Sequence, residues 1–103
     1  MTEPAIRLDK WLFQARLFKT RGLAAARIEG GGVRLNGRPC RKAGHVLRIG
    51  DQLTLPAHGR VMELRVLALG DRRGPASEAR LLYQDLAAPA DDAGANGDLA
   101  DRA

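Results

Sequence analysis

Aromatic residues are scarce: only Trp11, Phe13, Phe18 and Tyr83 carry rings in a chain of 103 residues. Proteins that read unpaired bases stack them on rings set into a sheet. The pattern here puts no aromatic on a strand, which argues against that mode. Cysteine is nearly absent, with Cys40 alone, so the chain forms no internal disulfide or thiolate cluster and fits a reducing compartment. No apolar run approaches the roughly 18 residues of a membrane span, and Met1 to Ile6 has no signal-like run. The expectation is a cytoplasmic protein with no membrane partner. Paired metal-ligand spacing is missing too: His45, His58 and Cys40 are scattered, so no metal or other cofactor is expected. Gly30-Gly31-Gly32 follows a helix instead of preceding one, which excludes a phosphate-cradling nucleotide loop. No nucleophile, base and orienter come together, and Asp9, Glu29 and Asp51 each have a capping or turn explanation. The chain is not expected to be an enzyme.

Positive charge is plentiful. The formal net charge is +5, and residues 89 to 103 hold four Asp against Arg102, which leaves +8 on residues 1 to 88. Such an excess suits an anionic partner, because Lys and Arg neutralising phosphates supply most non-specific nucleic-acid affinity. Part of the Arg excess is compatible with simple compositional bias. Its clustering is not.

Leu8, Trp11, Leu12 and Ala15 recur at helical spacing, predicting a helix over 8–15 with Trp11 as a core anchor. Arg7, Lys10 and Gln14 form a neighbouring polar stripe. Thr20 is placed to cap a second helix from Arg21 to about Glu29, with Leu23, Ala24 and Ile28 inward and the three glycines ending it. From Val33 the period becomes two, and Asn36-Gly37 predicts a type I′ hairpin whose return strand is short because of Pro39. Further strands are predicted over 46–49, 52–55 and 60–68, and a last helix over 76–84 after Pro75. The whole reads as an α+β domain: two N-terminal helices on a small, mostly antiparallel sheet, with a short C-terminal helix. It occupies residues 7–86, between an extension at 1–6 and an acidic tail at 87–103 expected to be disordered.

The densest candidate site is Arg16, Lys19, Thr20 and Arg21, where three cations meet the unpartnered N–H groups of a helix start. Arg7 and Lys10 extend it. Arg34, Arg38, Arg41 and Lys42 surround the hairpin as a second cationic set, although cations on edge strands also serve simply to block edge pairing. Few rings and many cations together favour recognition of folded RNA by shape and phosphate contacts.

Arg7-Leu8-Asp9-Lys10-Trp11-Leu12, Lys19-Thr20-Arg21, Ile28-Glu29-Gly30-Gly31, Val33 with Asn36-Gly37, and Gly50-Asp51 closely resemble the S4 RNA-binding domain. Arg72-Arg73 with Pro75-Ala76-Ser77-Glu78-Ala79 and Leu81-Leu82-Tyr83 resembles the region C-terminal to that domain in the bacterial ribosome-associated heat-shock protein 15 family. The resemblance implies the S4-like (alpha-L) fold and binding to ribosomal RNA of the large (50S) subunit. It further implies recycling of dissociated subunits that still hold peptidyl-tRNA, after heat stress or stalled translation, with peptidyl-tRNA as a further partner. Carried over residue by residue, it implies RNA contacts from Arg7, Lys10, Arg16, Lys19, Thr20, Arg21, Asn36, Gly37 and Arg38, and the candidate RNA-binding set is completed by Arg27 and by Lys42 of the hairpin cations. Asp9 and Arg27 would orient these groups through ion pairs. The chain departs from the family in its short acidic tail, where a longer basic extension is expected. A monomer is expected. The competing readings are a general structured-RNA or DNA-binding module, an RNA chaperone, and a stand-alone relative of the S4 domain of an RNA-modifying enzyme.

Overall fold

The computed structural model describes residues 4–86. The expectations for the tail at 87–103 lie outside these residues. Strand β1 (Ala5–Arg7) leads into helix α1 (Leu8–Gln14), and helix α2 (Arg21–Glu29) follows. Five strands come next: β2 (Arg34–Leu35), β3 (Arg38–Pro39), β4 (Val46–Arg48), β5 (Gln52–Ala57) and β6 (Arg60–Val66). The chain then forms helix α3 (Ala76–Ala79), a 3-10 turn (Arg80–Leu82) and strand β7 (Tyr83–Asp85). One antiparallel sheet has the order β3-β2-β5-β6-β7, and β1 pairs with β4 in a second, two-stranded sheet. This is the α+β, S4-like architecture expected from the sequence.

The two helices cover one face of the sheet. Leu8, Trp11 and Leu12 of α1 and Ala24 and Ile28 of α2 have no exposed surface, and they join Leu53, Leu55, Met62, Leu64 and Val66 of β5 and β6 in a single core. Full burial of one such side chain is worth about 1.5–3 kcal/mol. Met62, Leu64 and Val66 alternate with exposed neighbours, as the period of two requires. Trp11 is the anchor expected: its indole N–H donates to the Ala68 carbonyl at 2.9 Å, and its ring meets Tyr83 edge-on at 6.3 Å.

Both hairpin turns use left-handed residues. Asn36 and Gly37 have φ of 52° and 84°, the type I′ pair anticipated from the sequence, and His58 and Gly59 repeat it at 54° and 77°. The second turn lets β5 run through Pro56 to Ala57, beyond the expected end at Leu55. Pro56 is tolerated because the Ala57–Arg60 pair closes the two-residue turn, so position 56 faces the side where β2 has already ended.

Five expectations are corrected. Leu23 is not an inner residue of α2 but 53% exposed. Ala24 and Ile28 form a narrow stripe that seats the helix closely, and Leu23, about 100° round the helix from Ala24, falls outside it. Gln14 is not on an exposed stripe but buried, because its amide donates to the Leu69 carbonyl at 3.2 Å. The last helix stops at Ala79 instead of Gln84. Tyr83 turns extended and Tyr83–Asp85 pairs with β6, so an aromatic does stand on a strand. Ala5–Arg7, in and beside the expected N-terminal extension, is a strand held by Val46–Arg48.

Candidate nucleic-acid interface

Residues 42–45 wrap the start of α1. The Leu8 and Asp9 N–H groups donate to the carbonyls of His45 and Ala43 at 2.9 and 3.1 Å. This satisfies two of the helix's otherwise unpartnered N–H groups and brings the 42–45 loop beside Arg7. Asp9 then turns inward, only 4% exposed. Its carboxylate accepts two hydrogen bonds from Arg7, both at 3.2 Å, and one from the Lys10 N–H at 2.8 Å. Arg21 Nε lies 3.4 Å from the same carboxylate. Burial alone would raise the Asp9 pKa. The Arg7 hydrogen bonds, the Arg21 and Arg7 charges and the Lys10 N–H outweigh it and hold the group below its ordinary value. Asp9 stays ionised, and two half-exposed guanidiniums are fixed side by side.

A continuous cationic belt grows from this pair. Arg7 lies against Gly44, where a Cβ would sit 3.3 Å from its guanidinium carbon. Gly44 belongs to the loop whose Lys42 and His45 line an open groove together with Asn36, Arg38 and Arg41. Among the described residues lining that groove none is a carboxylate. Arg41 crosses Gly31, 3.0 Å from where a Cβ would be, and Arg27 covers Gly32. The glycine run therefore does more than end α2: it leaves room for two arginine side chains to lie flat. The signal for this was the run of three glycines itself, longer than a helix stop requires.

The sequence-predicted residues divide accordingly. Arg7, Arg21, Arg27, Arg38 and Lys42 lie on the belt, while Lys10 is exposed on α1 and Lys19 is exposed in the connection just before α2. Thr20 caps α2, its hydroxyl accepting from the Leu23 N–H at 3.0 Å, so one donor of the expected anion site is taken. Asn36 braces the hairpin: its side chain donates to Asp51 at 3.1 Å and accepts from the Gln52 N–H at 2.9 Å. Gly37 supplies backbone conformation. Arg16 is the correction. It takes a left-handed conformation after α1 and donates to the Gly74 carbonyl at 2.6 Å, so it leaves the expected Lys19-Thr20-Arg21 group and turns toward the C-terminal segment. Asp9 forms ion pairs with Arg7 and Arg21, while Arg27, also expected to pair among these groups, takes no part in them.

Residues 6–53, which carry every belt residue named, match the S4 domain family. The chain is 42% identical over 85 residues to the heat shock protein 15 homolog of Haemophilus influenzae and 44% identical over 82 residues to heat shock protein 15 of Escherichia coli K12. These alignments take in 82% and 80% of this chain and 64% and 61% of the relatives. The chain belongs to the heat shock protein 15 family. It spans a little over three-fifths of the length of these curated family members. A solved family structure, described as trimeric heat shock protein 15 of Vibrio cholerae, superposes with a TM-score of 0.76 at 39% identity, covering 82% of this chain and 84% of that one. Family membership extends beyond the S4 segment, consistent with α3 and β7 packing as part of the same body.

Among the described residues no group of three His, Cys, Asp or Glu side chains could hold a metal ion. Nor is any helix among them long and apolar enough to cross a membrane.

Proposed function

We propose that this protein binds structured ribosomal RNA of the large subunit, and that it helps return dissociated subunits carrying peptidyl-tRNA to translation. The observation that supports this most is the unbroken run of cations from Arg21 and Arg7 across Gly44 to the Lys42, Arg38 and Arg41 groove, laid over the S4 segment. A carboxylate that fixes two arginines in one orientation presets them for neighbouring phosphates, so less side-chain freedom is lost on binding. The belt carries no Phe, Tyr or Trp among its named residues, and the His45 imidazole is its single ring, which fits phosphate and shape recognition better than base stacking. The action is binding and not catalysis, and it takes place in the cytoplasm.

Sedimentation through sucrose gradients tests the proposal. Free large subunits holding a tethered nascent chain should carry the protein at lower concentrations than empty subunits or intact ribosomes. Equal binding to ribosomal RNA, unrelated duplex RNA and DNA at one salt concentration would instead make it a general nucleic-acid module. The same gradients, run over a range of protein concentrations without RNA, distinguish the expected monomer from a trimer like that described for the Vibrio cholerae relative.

A further inference from the structure

A second concave site lies away from the belt. It opens between the C-terminal end of α1, the His58-Gly59 turn, α3 and β7, with a volume of about 540 Å³. Its place in the fold separates it from the RNA groove. Asn36 meets β5 at Gln52, whereas the cleft lies at the Ala57 end, five residues and about 17 Å further along the strand.

The cleft combines an apolar floor with a cationic rim. Ala15, Met62 and Ala79 are buried in its floor, and the half-buried Tyr83 ring stands at one side. Arg16, Arg60, Arg80 and His58 line it against a single carboxylate, Asp85. Arg60 is ion-paired with Asp85. Arg16 is held at the rim through the Gly74 carbonyl, and Arg80 is exposed. The arginines outnumber the acid by two, in a hollow of the size that encloses a small ligand. An anion with an attached flat, largely apolar body fits both halves of this surface, and neither half alone calls for the other.

We propose that this cleft binds one phosphorylated nucleotide unit, its phosphate between Arg16 and Arg80 and its base over the Ala15, Met62 and Ala79 floor beside Tyr83. The unit comes either from the free nucleotide pool or from an RNA strand in which one nucleotide is unstacked. The site is independent of the belt, so its failure and the failure of the ribosomal reading separate cleanly.

The test is an amide NMR titration of the full chain with adenosine 5′-monophosphate, and with adenosine and inorganic phosphate as separate arms. The mononucleotide should move the amides of Ala76, Ala79, Arg80 and Tyr83 more than either fragment does. Arg80→Glu should weaken its binding by about tenfold or more, the loss expected for a charge-assisted contact. Ala76→Phe fills the cleft without changing charge and should do the same. Arg7→Ala with Arg21→Ala should leave the cleft response intact while reducing binding to large subunits. A single-stranded pentanucleotide that moves the same amides and is displaced by the mononucleotide places the unit in RNA; mononucleotide binding without such competition places it in the free pool. No shifts in the cleft, equal shifts with inorganic phosphate alone, or responses unchanged in both Arg80→Glu and Ala76→Phe would overturn the proposal.

Discussion

Asp9 holds two arginines with one carboxylate, and because that hold needs the ionised form, the arrangement weakens in acid. Its folded pKa is lowered from 3.8, so the stabilisation is fully present above that unfolded value and is lost as pH falls through the lower folded one. Asp9→Asn should cost about 1–3 kcal/mol at pH 7, the range for a lost charged hydrogen-bond partner. In urea denaturation the gap between Asp9→Asn and the parent chain should close once the pH is well below 3.8. The same change should weaken RNA binding, because Arg7 and Arg21 lose their common anchor. At this scale the sequence was partly legible. A carboxylate in the first turn of α1 could be read from spacing, and its orienting role from family resemblance. Arg16 could not be placed, because its direction depends on the Gly74 carbonyl, 58 residues away in the chain.

Elements with strong local chemistry were the ones that could be foreseen. Thr20 caps α2 through its own hydroxyl, and Thr20→Ala should cost about 1 kcal/mol in urea denaturation. Asn36-Gly37 dictates its turn by itself. Gly37 has φ of 84° with open space around the missing Cβ, so Gly37→Ala should cost roughly 1–2 kcal/mol through backbone strain without any clash. A stability unchanged within error would show that the turn relaxes. Weak local signals failed where tertiary partners decided the outcome. Ala76 to Gln84 has helix-forming content, yet β6 offers an open edge at Leu64–Val66, and Tyr83–Asp85 takes it. Ala5–Arg7 likewise becomes a strand only because Val46–Arg48 is there to receive it.

Across the whole molecule, the belt predicts how binding responds to salt. Each phosphate contact removed should lower the slope of log affinity against log salt by about 0.7–0.9. Arg21→Ala and Arg41→Ala should each show that reduction on large-subunit RNA, and Arg16→Ala should not, since Arg16 faces the other cleft. An Arg16→Ala slope that fell as much as that of Arg21→Ala would mean both sides of the molecule touch the same RNA. The alternation of β6 and the two helical stripes made the layered architecture readable, while the closure of the sheet on α1 was hidden in long-range contacts. Trp11 reaches Ala68 and Tyr83, Gln14 reaches Leu69, and Arg73 donates to the Phe13 carbonyl while lying 4.8 Å from its ring. The S4 segment thus borrows its inner lining from residues beyond position 53. Because Trp11 is the sole tryptophan, its fluorescence reports directly on that borrowing. Emission should be blue-shifted in the parent chain and move to the red in Tyr83→Ala, where the indole loses the edge of that ring and meets water.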